Sequence, residues 1–295
     1  MTYIGRFAPS PTGPLHFGSL LAALASFLDA RANNGKWLLR IEDLDPPREQ
    51  SGVKEQFPLV LEAFGLCWDE ELSFQSERLQ NYDDVLNELT NQRIAYRCNC
   101  SRKQIIERCS NTVYDQHCLY HPPEPEQQCA IRVRCKDCLI SFRDIIQGAH
   151  AYNLNNSGDF VIYRRDNLYA YLLAVVVDDF LQGITHVVRG SDLLDETARQ
   201  IHLQQLLGYP TPAYAHIPVA ANAEGQKLSK QTFAPALDTD NPIPALFQAL
   251  AFLDQHPPNE LLYASKDELI AWAIENWRIK NIKQTMAKPL NTTEQ

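Results

Sequence analysis

The 295-residue sequence lacks the features of a secreted or membrane-spanning protein. No basic stretch leads into an apolar stretch after Met1, and no apolar run approaches the ~20 residues that a membrane-spanning helix needs. Internal repeats and low-complexity segments are also missing. These absences predict a soluble, cytoplasmic protein. A length of 295 residues with 45% hydrophobic residues allows a sizeable core and fits one large or two modest domains.

The chain as a whole has no excess of positive charge. The net charge is -9, whereas proteins that bind nucleic acids usually carry a basic face. The charge is uneven, because residues 93–143 hold nine Lys and Arg against five acids, a local excess of +4. This excess is as compatible with a solvated loop as with a surface that binds a polyanion.

A disulfide framework is not expected, because the eight cysteines come without a signal sequence. Five of them lie between Cys98 and Cys129, and two more form the sequence CKDC at 135–138. Such clustering indicates metal binding rather than oxidation. From the residues alone, the favoured site is an all-cysteine zinc tetrahedron of Cys98, Cys100, Cys135 and Cys138.

The hydrophobic pattern near the N-terminus predicts an α/β fold. YIGRFA at 3–8 indicates a first strand, PSPTGP at 9–14 a stiff turn, and the apolar positions between Leu20 and Leu28 an amphipathic helix. KWLLRIED at 36–43 indicates the next strand. A β-turn-helix-β unit of this kind opens a doubly wound parallel sheet, which binds ligands at the carboxyl ends of its strands.

Later patterns extend this prediction. AIRVR at 130–134 and LISFRD at 139–144 predict a hairpin inside a cysteine-rich insertion. The Val- and Ile-rich run at 169–190 predicts two further strands, DLLDETARQIHLQQLLG at 192–208 predicts a helix, and two helix-like stretches run towards Trp277. We therefore expect four segments: the first half of a catalytic domain at 1–95, the insertion at 96–148, the second half at 149–235 and a small helical C-terminal region at 236–295.

His16 stands at the predicted start of the first helix. A helix start offers unpaired N–H groups and the positive end of the helix dipole, so it attracts phosphate. Gly13 and Gly18 allow the backbone to come close to a ligand, and the imidazole can donate a hydrogen bond to phosphate oxygens. Taken alone, a histidine at a helix start is more often structural, and the lysine-rich loop KLSK at 227–230 is more often only solvated.

Taken together, the two segments are far more specific. PSPTGPLHFGS at 9–19 and KLSKQ at 227–231 resemble the two signatures of class I aminoacyl-tRNA synthetases, which activate an amino acid with ATP on a Rossmann-type fold. RFAPSPTG, RIEDLD and LAVVVDDFLQGITHVVRGSDLL are similar to the glutamyl branch of that class. The resemblance runs from about Thr2 to Gln231.

This resemblance implies an ATP site and a glutamate site. His16 and Lys230 would stabilise the phosphates of ATP, which is expected to bind with Mg²⁺, because phosphoryl chemistry needs positioned positive charge. The implied ATP-binding residues are His16, Gly18, Ser19, Lys227 and Lys230. The implied glutamate-binding residues are Arg6 and Arg189 for carboxylates, Glu42 for the ammonium, and Ala8, Ser10 and Tyr171 for polar or backbone contacts. Without the family, Arg6 or Arg189 could instead form structural ion pairs with Asp43 or Asp192.

The resemblance also changes the prediction for the metal. Cys98-x-Cys100 with Tyr114-x3-Cys118 resembles the zinc site of short glutamyl-synthetase-like proteins, which implies one Zn²⁺ per chain held by these four side chains. Tyrosine is an unusual zinc ligand. His117 and Cys109 therefore stay open as substitutes.

The number of residues after the lysine loop narrows the choice among glutamyl-synthetase-like families. Only residues 232–295 follow Gln231, whereas a full glutamyl-tRNA synthetase continues into helical domains that read the anticodon. The chain is similar to a truncated paralogue family that activates L-glutamate without tRNA and attaches it to queuosine in the anticodon loop of tRNA(Asp). The implied partners are L-glutamate, ATP and the queuosine-bearing anticodon stem-loop, and we expect a monomer.

Three alternatives stay open. One is a C-terminally shortened glutamyl-tRNA synthetase that charges the 3′ end of tRNA(Glu). The others are a small-molecule ligase or nucleotidyltransferase on the same nucleotide-binding fold, and a non-catalytic RNA-binding protein.

Overall fold

The computed structural model describes residues 2–109, 113–135, 138–221 and 235–290. In these ranges the strands are β1 (Ile4–Phe7), β2 (Lys36–Ile41), β3 (Ser73–Phe74), β4 (Ala95–Cys98), β5 (Ala130–Val133), β6 (Leu139–Asp144), β7 (Gly148–Asn153), β8 (Phe160–Tyr163), β9 (His186–Gly190), β10 (Ala213–Ile217), β11 (Val219–Ala221) and β12 (Ala287–Pro289). The helices are α1 (Phe17–Ala32), α2 (Gln56–Ala63), α3 (Leu79–Asn91), α4 (Arg102–Cys109), α5 (His117–Tyr120), α6 (Tyr171–Leu181), α7 (Leu194–Leu207), α8 (Pro242–Phe252) and α9 (Lys266–Asn276). Among the described helices, none is long and apolar enough to cross a membrane.

The central strands of the fold are parallel. β2 pairs in parallel with both β1 and β3, and β9 pairs in parallel with β10. Thr185, which precedes β9, donates its backbone N–H to the carbonyl of Ile4 at 2.9 Å, so β9 lies beside β1. The resulting order β3-β2-β1-β9-β10 brings the two halves of the chain together and confirms the predicted Rossmann-type α/β fold.

Helix α1 connects β1 to β2, as the sequence predicts. All its side chains from Leu20 to Ala30 except Ala22 are buried, because the helix lies between the parallel strands and the C-terminal helices α8 and α9. Gly35 is the last residue of the connection between α1 and β2. A Cβ at this position would lie 2.6 Å from the carbonyl oxygen of Tyr3, so only glycine fits where the chain enters β2.

The prediction of two strands at 169–190 is wrong for the first of them. Helix α6 occupies the first half of the run, and only β9 is a strand. Every side chain from Leu172 to Asp179 is buried, so the run has almost no polar face. Hydrophobic periodicity does not distinguish a helix buried on most sides from a buried strand.

The predicted hairpin of 130–134 with 139–144 is also wrong. β5 pairs antiparallel with β4 and with β8, whereas β6 pairs antiparallel with β7. A strand pattern predicts that a segment pairs, but it does not identify the partner. Here one partner of β5 lies at the start of the cysteine-rich segment and the other follows β7, so residues 95–163 form two separate antiparallel sheets that extend beyond the predicted insertion.

Asp29 on α1 joins the C-terminal helices to the sheet. Its buried carboxylate accepts a hydrogen bond from the Tyr3 hydroxyl at 2.5 Å and one from the indole N–H of Trp277 at 2.9 Å. Trp277 follows α9 and is buried in the same core as β1 and β2. One carboxylate thus connects the first strand, α1 and the end of α9.

We expect Trp277→Phe to lower the free energy of unfolding by about 1–3 kcal/mol, because Asp29 loses one of its two buried donors. Urea denaturation measures the change. Trp272→Phe is the matched control, since its half-buried indole makes no hydrogen bond to a described residue. The control should lose less stability, and an equal loss in both variants would assign the effect to ring packing instead.

Candidate active site

A cavity of about 230 Å³ opens at the carboxyl ends of β1 and β9. The start of α1, the end of β10 and the first residue of α6 complete its walls. This is the edge at which a doubly wound sheet binds ligands. Seven of the residues that the sequence predicts for ATP or glutamate line it: Arg6, Ala8, His16, Gly18, Ser19, Tyr171 and Arg189.

Two predicted residues in the described part of the chain do not line this cavity. Ser10 is exposed on the turn before α1, and Glu42 is buried just after β2. Neither lines the cavity. The predicted Lys227 and Lys230 lie outside the described residues, so their place in the site stays a prediction.

His16 caps the start of α1. Its Nδ1 accepts the backbone N–H of Gly18 at 3.0 Å, so the neutral ring carries its proton on Nε2. The side chain is 9% exposed at the cavity wall. The helix start therefore combines an imidazole donor with the backbone N–H groups that favour anions.

Arg6 is held by a carboxylate that the sequence analysis did not consider. Its Nε and Nη2 donate to the two carboxylate oxygens of Asp179 on α6, at 3.2 Å and 3.3 Å. Burial alone would raise the pKa of Asp179, but the guanidinium groups of Arg6 and Arg40 hold it below its ordinary value. Asp43, a suggested partner, instead accepts a hydrogen bond from Lys54 at 2.9 Å.

Arg40 on β2 extends this pairing beneath the site. The side chain is fully buried, and its Nη2 lies 2.8 Å from Asp179 and 3.4 Å from Glu42. Burial raises the pKa of Glu42 to about 7, although Arg40 and Arg6 oppose the shift. Glu42 is therefore a carboxyl group that gains or loses its proton near neutral pH.

Arg189 at the end of β9 is fixed by several acceptors. Its Nε donates to His216 Nε2 at 3.0 Å, and its Nη2 donates to Thr197 and Gln200 at 2.9 Å and 2.8 Å. Its Nη1 is buried and has no hydrogen-bond partner among the described residues. Because Arg189 lines the cavity, a ligand carboxylate is the natural partner for the remaining donor.

His216 connects Arg189 to Asp144. His216 Nδ1 lies 2.6 Å from Asp144 Oδ2, and both side chains are fully buried. Burial lowers the pKa of His216, so the ring is neutral at physiological pH. Burial alone would raise the pKa of Asp144, but hydrogen bonds from His216 and from the backbone of Gln147 hold it below its ordinary value.

Sequence reasoning missed Arg40, Asp179, His216 and Asp144. A signal existed for the first two, because Arg40 interrupts the apolar strand KWLLRI and Asp179 ends the apolar run AVVVDD. A charge inside a buried run indicates a buried partner. The sequence around His216 and Asp144 carries no such mark.

The insertion brings three predicted thiols together. The Sγ atoms of Cys98, Cys100 and Cys118 all lie within 4.8 Å of one another. Cys100 Sγ lies 3.7 Å from the Tyr114 hydroxyl, and all four side chains share one small cluster. Sulfur ligands of a tetrahedral zinc ion lie ~3.8 Å apart, since each is ~2.3 Å from the metal, so this donor set fits zinc.

The alternative zinc ligands lie outside this thiol cluster or at its edge. Cys135 is buried in the hydrophobic core around α6, and Cys138 Sγ lies 3.1 Å from His202 Nδ1. His117 stacks on His121 with ring centroids 4.7 Å apart, and Cys109 packs at the edge of the thiol cluster. The geometry therefore favours the site with Tyr114 over the one with CKDC.

Comparisons with known proteins identify the family to which the fold belongs. Residues 4–241 match the family model described as tRNA synthetases class I (E and Q), catalytic domain. The crystal structure of a glutamate tRNA ligase from Elizabethkingia meningosepticum, solved with its amino acid, superimposes with a TM-score of 0.83 at 25% identity. The match covers 99% of this chain and 67% of that one.

Relatives of similar length are more alike in sequence. The chain is 49% identical to the glutamyl-Q tRNA(Asp) synthetase of Pseudomonas putida F1, over 98% of this chain and 95% of that protein. It is 50% identical to the glutamyl-Q tRNA(Asp) synthetase of Thiobacillus denitrificans, over 97% of each chain. The chain therefore belongs to the glutamyl-Q tRNA(Asp) synthetase family of class I aminoacyl-tRNA synthetases, a family of ligases.

Proposed function

We propose that this enzyme activates L-glutamate with ATP in the absence of tRNA and then transfers the glutamate to queuosine in the anticodon loop of tRNA(Asp). The observation that carries the proposal is that Arg189, whose buried Nη1 has no hydrogen-bond partner among the described residues, lines the same cavity as His16 and the start of α1. A buried donor on a fixed cation suits a carboxylate, and a helix start suits phosphate. The names of the relatives support queuosine as the acceptor.

In the first step, an oxygen of the glutamate α-carboxylate attacks the α-phosphorus of ATP, and the bond to the bridging oxygen breaks to release pyrophosphate. His16 Nε2–H and the backbone N–H groups at the start of α1 stabilise the phosphate oxygens. The sequence signature assigns Lys230, with Lys227 beside it, to the same phosphates. Mg²⁺ accompanies the ATP and supplies further positive charge there.

Glutamate is oriented by charge. Arg6 and Arg189 hold its carboxylates, and both guanidinium groups are already fixed by other residues before the ligand arrives. The family resemblance assigns Glu42 to the ammonium, and Ala8, Ser10 and Tyr171 to the remaining contacts. Because Glu42 and Ser10 do not line the cavity, their two assignments depend on that resemblance alone. Tyr171 is 37% exposed at the cavity and the first residue of α6, which suits a side chain that contacts an entering ligand.

We expect the KM for glutamate to rise as the pH falls below about 7, by up to about tenfold per pH unit, because protonated Glu42 carries no charge to attract the ammonium. The sign follows from the raised pKa, since the charged form is complete only above it. Glutamate-dependent ATP–pyrophosphate exchange at a series of pH values measures this. Glu42→Gln should have a high KM at every pH and lose the dependence, and a flat profile in the native enzyme would contradict the role of Glu42.

In the second step, a hydroxyl of the cyclopentenediol of queuosine attacks the adenylate carbonyl, an ester forms and AMP leaves. A ribose also carries vicinal hydroxyls, so the chemistry alone does not choose between the modified base and the 3′ adenosine. Docking of the RNA makes that choice. The basic excess at residues 93–143 is the proposed contact for the phosphates of the stem-loop.

Labelled glutamate tests the proposal directly. We expect tRNA(Asp) that contains queuosine to accept the label, as should its isolated anticodon stem-loop with a blocked 3′ end, whereas the unmodified transcript should not. Periodate cleaves free cis-diols, so pretreatment should abolish the reaction. Pyrophosphate exchange should proceed without tRNA.

Other outcomes would identify the alternatives. Charging of unmodified tRNA(Glu) at its 3′ adenosine would indicate a shortened glutamyl-tRNA synthetase. Exchange that depends on a different acid would indicate a small-molecule ligase, and the absence of exchange with any acid would indicate a non-catalytic protein.

The proposed metal is one Zn²⁺ per chain, held by Cys98, Cys100, Tyr114 and Cys118. Bound there, zinc would cross-link β4 to the segment around α5 and so stabilise the insertion locally, since binding free energy at such a site is local folding free energy. Arg132 donates to Cys98 Sγ at 3.3 Å, and Arg108 Nη2 donates to Cys100 Sγ at 3.4 Å. These cations balance part of the negative charge of a thiolate site.

We expect Cys118→Ser to purify without zinc, because two thiolates and a phenol bind the ion too weakly. The matched control is the double variant Cys135→Ser/Cys138→Ser, which should keep one zinc per chain. Elemental analysis of the purified proteins distinguishes the two. Loss of zinc from the double variant, with retention in Cys118→Ser, would move the site to CKDC.

A further inference from the structure

The guanidinium of Arg189 is fixed on two of its three nitrogens. Nε donates to His216, and Nη2 donates to Thr197, to Gln200 and, at 3.3 Å, to the carbonyl of Leu193. Nη1 is the nitrogen that finds no acceptor within the described part of the chain. The surrounding acceptors thus decide which nitrogen of the group is left without a partner, in a residue that lines the cavity.

This arrangement depends on one tautomer of His216. The ring can accept from Arg189 only if Nε2 carries no proton, which places the proton of the neutral ring on Nδ1. Asp144 Oδ2 lies 2.6 Å from Nδ1 and accepts that proton in a hydrogen bond. Asp144 therefore selects the tautomer that Arg189 requires.

Asp144 is itself held firmly at the end of β6. Its Oδ1 accepts the backbone N–H groups of Ile146 and Gln147, at 2.9 Å and 2.8 Å, and that of His216 at 3.1 Å. These bonds leave Oδ2 for the imidazole. The chain of contacts runs from the backbone after β6, through Asp144 and His216, to the guanidinium in the cavity.

We propose that Asp144 and His216 are positioning residues, which orient Arg189 so that Nη1 faces the carboxylate of glutamate. The inference rests on the proposed function and extends it, because it assigns a role to two residues that do not touch the substrate. Thr197 belongs to the same assembly. Its hydroxyl accepts from Arg189 and lies 3.2 Å from the carbonyl of Leu193, to which it donates.

The proposal predicts a specific effect of replacing Asp144. In Asp144→Asn, the amide oxygen can keep the backbone N–H groups, so the amide nitrogen faces His216 Nδ1. Two donors cannot face each other, so Nδ1 would become an acceptor and the proton would move to Nε2. Nε2–H would then oppose the N–H of Arg189 and displace the guanidinium.

We expect Asp144→Asn to raise the KM for glutamate at least about tenfold in pyrophosphate exchange, while the KM for ATP and kcat change less than about twofold. Nitrogen chemical shifts of His216 in the labelled protein report the tautomer independently of activity. They should place the proton on Nδ1 in the native protein and on Nε2 in the variant.

A second pair of variants leaves Asp144 and His216 unchanged and alters Thr197, whose Oγ1 also lies 3.2 Å from His216 Nε2. Thr197→Val keeps the shape of the fully buried side chain but removes the acceptor for Nη2, so it should also raise the glutamate KM selectively. Thr197→Ser restores the hydroxyl and should recover most of the affinity. The matched control is Thr90→Val on α3, where the hydroxyl donates only to the carbonyl of Leu86, at 2.7 Å.

The outcomes separate the inference from the function on which it rests. An unchanged glutamate KM in Asp144→Asn with a switched tautomer, or in Thr197→Val, would overturn the positioning role. Parallel increases in the KM for glutamate and for ATP would also overturn it, because they would indicate general damage to the cavity. If the native enzyme shows no glutamate-dependent exchange, the proposed function itself fails.

Discussion

Arg40 is a fully buried cation, and the structure around the cavity depends on how its charge is balanced. Asp179 lies 2.8 Å from its guanidinium, while Asp178 is 3.8 Å away and also accepts from Gln75, Arg78 and Tyr82. Removing one partner of such a network leaves an uncompensated buried charge, at a cost of about 3–5 kcal/mol. The two adjacent acids of α6 therefore fix this helix against β2 and α3, and Tyr171 at its start is fixed with it.

The same network prepares the site for its ligand. Asp179 also holds Arg6, so one carboxylate orients a guanidinium of the cavity and neutralises Arg40 beneath it. Arg189 is oriented separately by His216 and Thr197. Because both arginines are fixed by the fold, glutamate in the proposed function would not have to order them on binding, and more of its interaction energy would be left for affinity and for catalysis.

The predicted insertion and the C-terminal helices are both connected to elements that form the cavity. The insertion carries the thiol cluster, and its strand β6 ends at Asp144, which reaches Arg189 through His216. The C-terminal region is joined to α1 through Trp277 and Asp29. Segments far apart in sequence therefore pack around one short strand-helix-strand unit, and the cavity is lined by that unit together with residues 171, 188–190, 192, 193 and 217–220.

The sequence by itself determined the strand-helix-strand opening and the place of His16 at a helix start, because both follow from the spacing of neighbouring residues. It also determined the grouping of Cys98, Cys100 and Cys118, because a family motif of closely spaced residues contains all three. It did not determine that residues 171–181 form a helix, since a run buried on nearly all sides shows no period. Nor did it give Asp179 as the partner of Arg6, or Asp144 and His216 as the supports of Arg189. Those residues are brought together only by tertiary packing, because a buried charge takes its partner from whichever element lies against it in space, and here that element lies far along the chain.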